Sequence, residues 1–558
     1  MKKIFKLFLL AGLIITSFLF VLSPLVVNAA TREAYQIITN PGENMASEVN
    51  INWHSDIEGT FVEYTLKTDS DYSNAIRVVG SVEALDFNVP NDSTWTVYDF
   101  SKRNICRATL SNLLPDTEYK YRVGKTVFSK DYFFKTAGSG SFTFINMSDP
   151  QFYGDASAQV WYNLMADAFV INKNISFALL NGDVVNQGNE GSYWDLFFDN
   201  HEVSQIMVAA ATGNHEYYAG STTTVDARFY NAHFNNPDNG ASNLLNSSYY
   251  FIYNNALFVV IDSQKTEGGT WATQKVWFEE VVRANPTQYI IVSSHISIYG
   301  AANGDNSVAL RREWTPLFDK YGVDLVLTGH DHIYARSKII YNGEETSDRF
   351  KGTCYVIGGV AGNGTKYTAD KLDKEKMDKW YELKTSYGIV TVSSGTISYR
   401  CYDMNQNVID TFILPAKRTS NADQDFDKNI FLQELAIVAN DNDRTTARFN
   451  WPKEAYGHVD TITLKDDKDN QLDSKFIFMD NENYFDISGL TLDATYKYKA
   501  VINFRDGSKS EQQISFKTTI NYGDVKITTN NLTSQGLELG FNINVRSDLL
   551  NEVGLYVN

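Results

Sequence analysis

At 558 residues the chain is too long for one hydrophobic core and divides into several domains. A hydrophobic fraction of 43% with 14% aromatics is enough to fold each of them, which excludes wholesale disorder. A formal charge of −18 repels phosphate polyanions at long range and excludes a general nucleic-acid binder, and a small phosphorylated molecule would need local positive charge of the kind metal ions supply.

Residues 1–29 place Lys2, Lys3 and Lys6 before a long apolar run and end in Val-Asn-Ala. That is the pattern of a secretory signal peptide cleaved after Ala29. The apolar run is nearly long enough to span a bilayer, so the alternative is an uncleaved anchor. Either way the remainder is expected to be secreted or held at the cell surface. Cys106, Cys354 and Cys401 are too few for a disulfide framework in an exported chain of this size, and burial as small apolar groups is expected.

Residues 30–138 read as all-β, with short alternating runs (VNINWHS, FVEYTLKT, RATLSNLLPDTEYKYRVG) between turn residues. Leu113, Pro115, Thr117, Tyr119 and Tyr121 fall in a pattern like the tyrosine corner of a β-sandwich.

Residues 139–417 change character. Apolar runs at 141–147, 175–181, 206–211, 256–262, 289–294 and 323–328 alternate with helical periodicity, which argues a layered α/β domain. One helical face between 156 and 172 carries Val160, Trp161, Leu164, Met165, Ala168 and Phe169, and shorter helices are expected at 275–283 and 308–320. The charged run 368–379 reads as a solvated helix or loop.

Residues 418–520 echo the first sandwich. Leu490, Thr495, Tyr496 and Tyr498 repeat Leu113, Thr117, Tyr119 and Tyr121 with a one-residue slip at the threonine. Asn450-Trp451 matches Asn52-Trp53, and Phe516-Lys517-Thr518 matches Phe134-Lys135-Thr136. Three landmarks in one order argue a repeat, and both copies resemble fibronectin type III domains. Residues 521–558 look like the opening strands of a further copy.

The chemistry lies immediately after the central strands. Asp149-Pro-Gln151 stands after the first and Gly182-Asp183 after the second. Gly213-Asn214-His215-Glu216 succeeds the third, His295 succeeds YIIVSS, and Gly329-His330-Asp331-His332 succeeds VDLVLT. The carboxyl ends of strands are where open α/β sheets place their sites. The remaining histidines, His54, His201, His233 and His458, have no such setting and are expected to be surface or structural. Any one block is also the product of a plain turn; five at successive strand ends are not. Carboxylates, carboxamides and imidazoles without thiolate suit Fe, Mn or Zn, and the set is too large for one ion. Two divalent metal ions with one bridging carboxylate fit it, the arrangement that clamps both oxygens in a phosphoryl displacement.

In order and spacing these five blocks resemble the calcineurin-like metallophosphoesterase superfamily. The preceding sandwich, with LLPDTEYKYRVG and YFFKTAG, resembles the purple acid phosphatase branch, as does the stretch 357–364. The resemblance covers roughly residues 34–415. It implies a central αββα sandwich flanked by immunoglobulin- or fibronectin-like sandwiches. It also implies that Asp183 bridges two metals, that Asp149 and His332 hold one with Gln151 beside them, and that Asn214, His295 and His330 hold the other. His215 would sit over the phosphoryl group as hydrogen-bond donor or general acid.

Three departures stand out. Asn186 occupies the position of the metal-binding tyrosine that colours purple acid phosphatases, so a colourless enzyme with divalent metals is expected, with Asn186 orienting His215 instead. Gln151 stands where histidine is common. The paired histidines that come soon after the equivalent of His295 in plant and animal members are absent from SIYGAANGDN. The expected activity is hydrolysis of a phosphate monoester of a small metabolite or nucleotide. The alternatives are phosphodiester or pyrophosphate cleavage on the same site, or a non-catalytic cell-surface binding protein whose site is vestigial. The trailing sandwiches are expected to serve as spacers or surface attachments.

Overall fold

The computed structural model describes residues 31–85, 102–217, 227–264, 268–300, 305–348, 351–362, 364–417, 427–439, 445–452, 455–477, 483–504, 508–518, 525–533 and 536–543. The leader, with the signal peptide or anchor expected there, lies outside the described residues. Among the described residues no helix is long and apolar enough to cross a membrane.

The alternating runs near the N-terminus form two four-stranded sheets. One runs in the order Tyr35–Pro41, Val49–Ser55, Arg103–Leu110, Ser81–Leu85, and the other Ile76–Val79, Phe61–Leu66, Glu118–Gly124, Tyr132–Lys135. Trp53, Val62, Cys106, Tyr121 and Phe134 fill the space between them. The corner expected at Tyr119 forms: Leu114 N–H donates to Tyr119 Oη at 2.9 Å, while Thr136 Oγ1 donates to Leu114 O at 2.6 Å and accepts from Thr117 N–H at 2.9 Å.

The centre is two mixed sheets face to face. The first runs Met207–Ala210, Ile175–Leu180, Phe142–Met147, Ser386–Val392, Thr396–Asp403, Val408–Pro415. The second runs Tyr249–Tyr253, Ala256–Val260, Tyr289–Ser293, Leu325–Thr328, Cys354–Gly358, Tyr334–Ser337, Met377–Tyr381. Period-2 alternation sorts each strand between layers. Phe142 and Phe144 face the inter-sheet core, whereas Ile145 and Met147 face the helices. Phe144 stacks on Phe177 at 5.0 Å, and Phe177 meets Phe258 of the opposite sheet edge-on at 5.3 Å. Helix Asp155–Ile171 buries Trp161, Leu164, Met165 and Ala168 on the first sheet. Helices Ala272–Ala284 and Asp305–Tyr321 cover the second with Phe278, Trp314 and Phe318. Each such large apolar side chain contributes roughly 1.5–3 kcal/mol when fully buried. The result is the expected αββα sandwich.

Parallel pairing sets the position of the site. Phe142–Met147, Ile175–Leu180 and Met207–Ala210 run parallel, as do Ala256–Val260, Tyr289–Ser293, Leu325–Thr328 and Cys354–Gly358. Their carboxyl ends therefore share one edge of each sheet, and the loops that leave them meet. The charged run 368–379 is the expected solvated loop as far as residue 376, with Asp370, Lys371, Lys374 and Glu375 exposed, but it is anchored and ends in a strand. Ala369, Leu372 and Met377 are buried against the second sheet, and from Met377 the chain joins that sheet as its edge strand.

All three cysteines are free and buried. Beyond residue 427 a three-stranded sheet (Ala436–Ala439, Ala447–Asn450, Tyr484–Ile487) faces a four-stranded one (Gln471–Phe476, Val459–Lys465, Thr495–Phe504, Lys509–Lys517). Phe449, Trp451, Ile462, Tyr498 and Ile502 are buried there. The corner recurs bond for bond: Thr491 N–H donates to Tyr496 Oη at 2.6 Å, Thr518 Oγ1 to Thr491 O at 2.6 Å, and Ala494 N–H to Thr518 Oγ1 at 2.9 Å. The one-residue slip in the sequence match is thereby resolved, since Ala494 rather than Thr495 stands where Thr117 does. A hairpin of Val525–Thr533 and Gly536–Ile543 comes last.

Candidate metal centre

Each ligand-type residue sits in the first turn after a strand, where the backbone leaves the sheet abruptly. Asp149, Gln151, Asp183, His330 and His332 all have left-handed backbones, with φ of 53°, 43°, 52°, 69° and 44°. A non-glycine residue in that region costs of order 1–3 kcal/mol and persists only where its surroundings impose it. Five such residues at one edge of the sheets mark a built site. Glycine is obligatory beside them: a Cβ on Gly213 would stand 2.0 Å from Asp183 Oδ1, and one on Gly329 would stand 2.5 Å from Asp149 Oδ2.

The side chains converge on Asp183, which is 1% exposed. Its Oδ2 lies 3.1 Å from His295 Nε2 and 3.7 Å from His215 Nε2, and it accepts from Gln151 Nε2 at 3.3 Å. Its Oδ1 accepts the backbone N–H of His215 at 2.9 Å. Asp149 Oδ1 faces His332 Nε2 at 3.2 Å, while its Oδ2 accepts from His330 N–H at 3.0 Å. His295 Nε2 also meets Asn214 Oδ1 at 3.1 Å and His330 Nδ1 at 3.2 Å.

Two groups of donor atoms, each within 4.8 Å, share one member: Asp183 with His295 and His330, and Asp183 with Asp149 and His332. The donor chemistry fits cations. His295 Nδ1 donates to Asn181 O at 2.8 Å, and His332 Nδ1 donates to Thr365 O. Both Nε2 lone pairs are thus turned inward, His295 Nε2 against a carboxamide oxygen and a second ring nitrogen. Electron pairs that converge in a buried site call for a positive ion between them. On protein charges alone, burial works to raise the Asp183 carboxyl, but His295 and His215 overcome it and hold it well below the usual carboxylate range. Burial works against a charged His295, yet Asp183 outweighs it and lifts the imidazole to about 10. His330 goes the other way, pushed down to about 4 by burial and by the charge of His295. Positive charge therefore gathers on His295 beside Asp183, while His330 stays neutral.

Residues 142–334 match the calcineurin-like phosphoesterase family, and residues 34–136 match the purple acid phosphatase N-terminal domain. The chain carries the sandwich first and the phosphoesterase domain after it. Several of the proteins it resembles are named as phosphatases. An onion (Allium cepa) phosphoenolpyruvate phosphatase is 24% identical over 386 residues, covering 63% of this chain and 77% of that one. The Fe(3+)-Zn(2+) purple acid phosphatase 12 of Arabidopsis thaliana is 22% identical over 409 residues, covering 67% and 81%. Purple acid phosphatase PPD1 from yellow lupin (Lupinus luteus) seeds superposes with a TM-score of 0.59 at 18% identity, covering 69% of this chain and 75% of that one.

Within the phosphoesterase domain, two features are not legible in the sequence, and a third is legible only in part. Glu216 closes the third block and has no role assignable from sequence. It is fully buried, and its carboxyl accepts the backbone N–H groups of Gly213, Asp183 and Val185 at 2.7, 2.9 and 3.2 Å. It thus fastens two ligand turns together from behind, and burial together with the Asp183 charge pushes it up to about 8. Asn181 is the second: besides holding His295, it donates through Nδ2 to Asn146 Oδ1 at 2.7 Å and accepts from Ser293 Oγ at 2.9 Å. The third is Asn186, whose main-chain carbonyl, not its side chain, accepts from His215 Nδ1 at 2.6 Å. Any residue could serve there, so the side chain carries no signal.

Proposed function

We propose that this chain is an exported phosphohydrolase with a dinuclear Fe, Mn or Zn centre, acting on a phosphate monoester of a small metabolite or nucleotide. The observation that carries the reading is Asp183, the one carboxylate common to two donor groups. In this reading Asp183 would be shared by the two ions, Asp149 and His332 would hold one with Gln151 beside them, and Asn214, His295 and His330 would hold the other. Gln151 directs its amide nitrogen at Asp183, and a half-turn of that amide would offer Oε1 instead. The bound pair supplies Lewis acidity toward phosphoryl oxygens and an acidified water nucleophile.

The chain's own residues do the rest. His215, one-fifth exposed at its side chain, keeps Nδ1–H on the Asn186 carbonyl and so directs Nε2 at the phosphoryl group. There it donates to a phosphoryl oxygen or returns a proton to the departing oxygen. Asn214 contributes a neutral oxygen, which leaves net positive charge for the phosphate. With Asn186 in place of the colour-giving tyrosine, the enzyme is colourless. The signal-like leader supports export, and the β-rich region after residue 427, with its second tyrosine corner, supports a fibronectin type III-like spacer or surface attachment.

Turnover of an aryl phosphate against a bis-aryl phosphodiester by metal-reconstituted protein tests this. The monoester is expected to be preferred, with Asp183→Asn abolishing turnover. Preference for the diester would move the activity to phosphodiester cleavage, and failure on both substrates with no effect of Asp183→Asn would leave a binding protein.

A further inference from the structure

The two donor groups are supported in unlike ways. His295 is fully buried, and the carbonyl that fixes its Nδ1–H belongs to Asn181, directly after strand Ile175–Leu180. That support is part of the first sheet. His332 leans instead on an irregular segment after strand Cys354–Gly358. Its Nδ1–H goes to the carbonyl of Thr365, an exposed residue. The half-buried ring of Tyr367 lies parallel to the imidazole, centroids 4.8 Å apart at 7°, and Tyr367 N–H reaches His332 O at 3.4 Å. The same segment also touches Gln151: a Cβ on Gly364 would stand 2.6 Å from Gln151 Oε1 and 3.6 Å from His332 Cε1.

A hydrogen bond to a carbonyl fixes one point of an imidazole and its tautomer, but the ring can still tilt about that point. A parallel aromatic face removes the tilt and shields the bond from water. Since the outer partners of a metal-binding histidine tune its affinity for the ion, the two half-sites are tuned by different parts of the fold. We infer that Tyr367 is a positioning residue for His332, and that segment 364–367 sets the metal affinity of the Asp149–His332 half-site independently of the His295–His330 half-site. The inference rests on the two-ion reading above.

Calorimetric titration of the metal-stripped full chain with Mn²⁺ tests it without reference to activity. Wild type is expected to take up two ions. Tyr367→Leu, which keeps bulk but removes the ring, is expected to weaken one step about 10- to 100-fold and leave the other unchanged, and Tyr367→Phe restores both. If Tyr367→Leu binds both ions as wild type does, or weakens both steps equally, the inference falls and the two-ion reading stands. A wild-type chain that takes up fewer than two ions overturns both. If Tyr367→Leu fails to fold, the wild-type chain decides through histidine NMR during stepwise chelation. The His332 ring is expected to be released before that of His295, and the reverse order overturns the inference.

Discussion

A Cβ at position 329 would stand 1.7 Å from Ser148 Oγ and 2.5 Å from Asp149 Oδ2. Nothing there can yield cheaply, because Ser148 is fully buried and its hydroxyl donates to that same Asp149 oxygen. Gly329→Ala must therefore push Asp149 away from His332. A displacement of about 1 Å at a reacting centre can cost on the order of 100-fold in rate. We expect at least that loss, with less bound metal per chain by elemental analysis and little change in melting temperature. Glu216 makes the complementary case, a residue that need not touch a ligand to matter. Glu216→Ala strands three buried N–H donors, each costing about 1–3 kcal/mol, and should lower the urea midpoint sharply. Glu216→Gln, which keeps an acceptor and the volume, should lose less; equal midpoints for the two variants would refute this reading of Glu216. The same contrast explains what the sequence could reveal. Ligands are legible because imidazoles and carboxylates after apolar strands have few other reasons to be there. Glu216 and Asn181 act through the backbone, and the groups they serve lie far away in the chain.

At the scale of elements, the central strands and main helices are legible because each is apolar with a clean period, and the layers result from the alternation. The short helix Gly191–Phe198 is harder to read, since its eight residues give barely two turns and it buries only Gly191, Trp194 and Phe197. The edge strand Met377–Tyr381 is masked by its charges: only Met377 in it is buried, while the lysine and aspartate around it point outward. The tie between the two sheets at their rim is also invisible in sequence. Arg336, from the second sheet, donates through Nε to Asp410 Oδ2 of the first at 2.7 Å, and Tyr334 Oη donates to the same oxygen at 2.8 Å. The pair is largely buried, with side-chain exposures of 13% for Arg336 and 6% for Asp410. Breaking one partner of a buried pair leaves an uncompensated charge and costs about 3–5 kcal/mol. Asp410→Ala should show that loss in denaturant unfolding, tempered by the contact of Arg336 with Asp378 at 2.5 Å. Arg336→Met with Asp410→Leu should recover much of it. A double variant no more stable than Asp410→Ala would show that packing, not the buried charge, governs this rim.

The whole molecule depends on how the first sandwich seats on the phosphoesterase domain, and the seat is made of residues whose sequence setting says nothing. Asn40 Nδ2 donates to Val208 O at 2.9 Å and Asn52 Nδ2 to Ala232 O at 3.1 Å. His54, fully buried, donates through Nε2 to Ala232 O at 2.9 Å, which leaves Nδ1 to accept from Arg103 Nη1 at 3.3 Å. Beyond it, the His233 ring lies 4.7 Å away and stacks on Trp194 at 4.1 Å. Of the four histidines outside the metal centre, these two are therefore structural, and they are locked neutral. Burial, with the charges of Arg103 and Arg107 adding to it and the Ala232 bond opposing, holds His54 down to about 3. An unfolded histidine titrates near 6.5. Above that value the contribution of His54 to stability is complete. As pH falls from 6.5 toward 3 only the unfolded chain gains the proton, so stability is lost at up to about 1.4 kcal/mol per pH unit. At pH 5 the deficit from His54 alone is about 2 kcal/mol. Glutamine can donate to Ala232 and accept from Arg103 without titrating, so the drop in unfolding free energy between pH 7.5 and pH 5 should be smaller in His54→Gln by that amount. His233, also pushed down by burial and by His54, keeps a residual slope in the variant. An identical drop in both proteins would mean that the seat between sandwich and phosphoesterase domain does not feel the proton at residue 54.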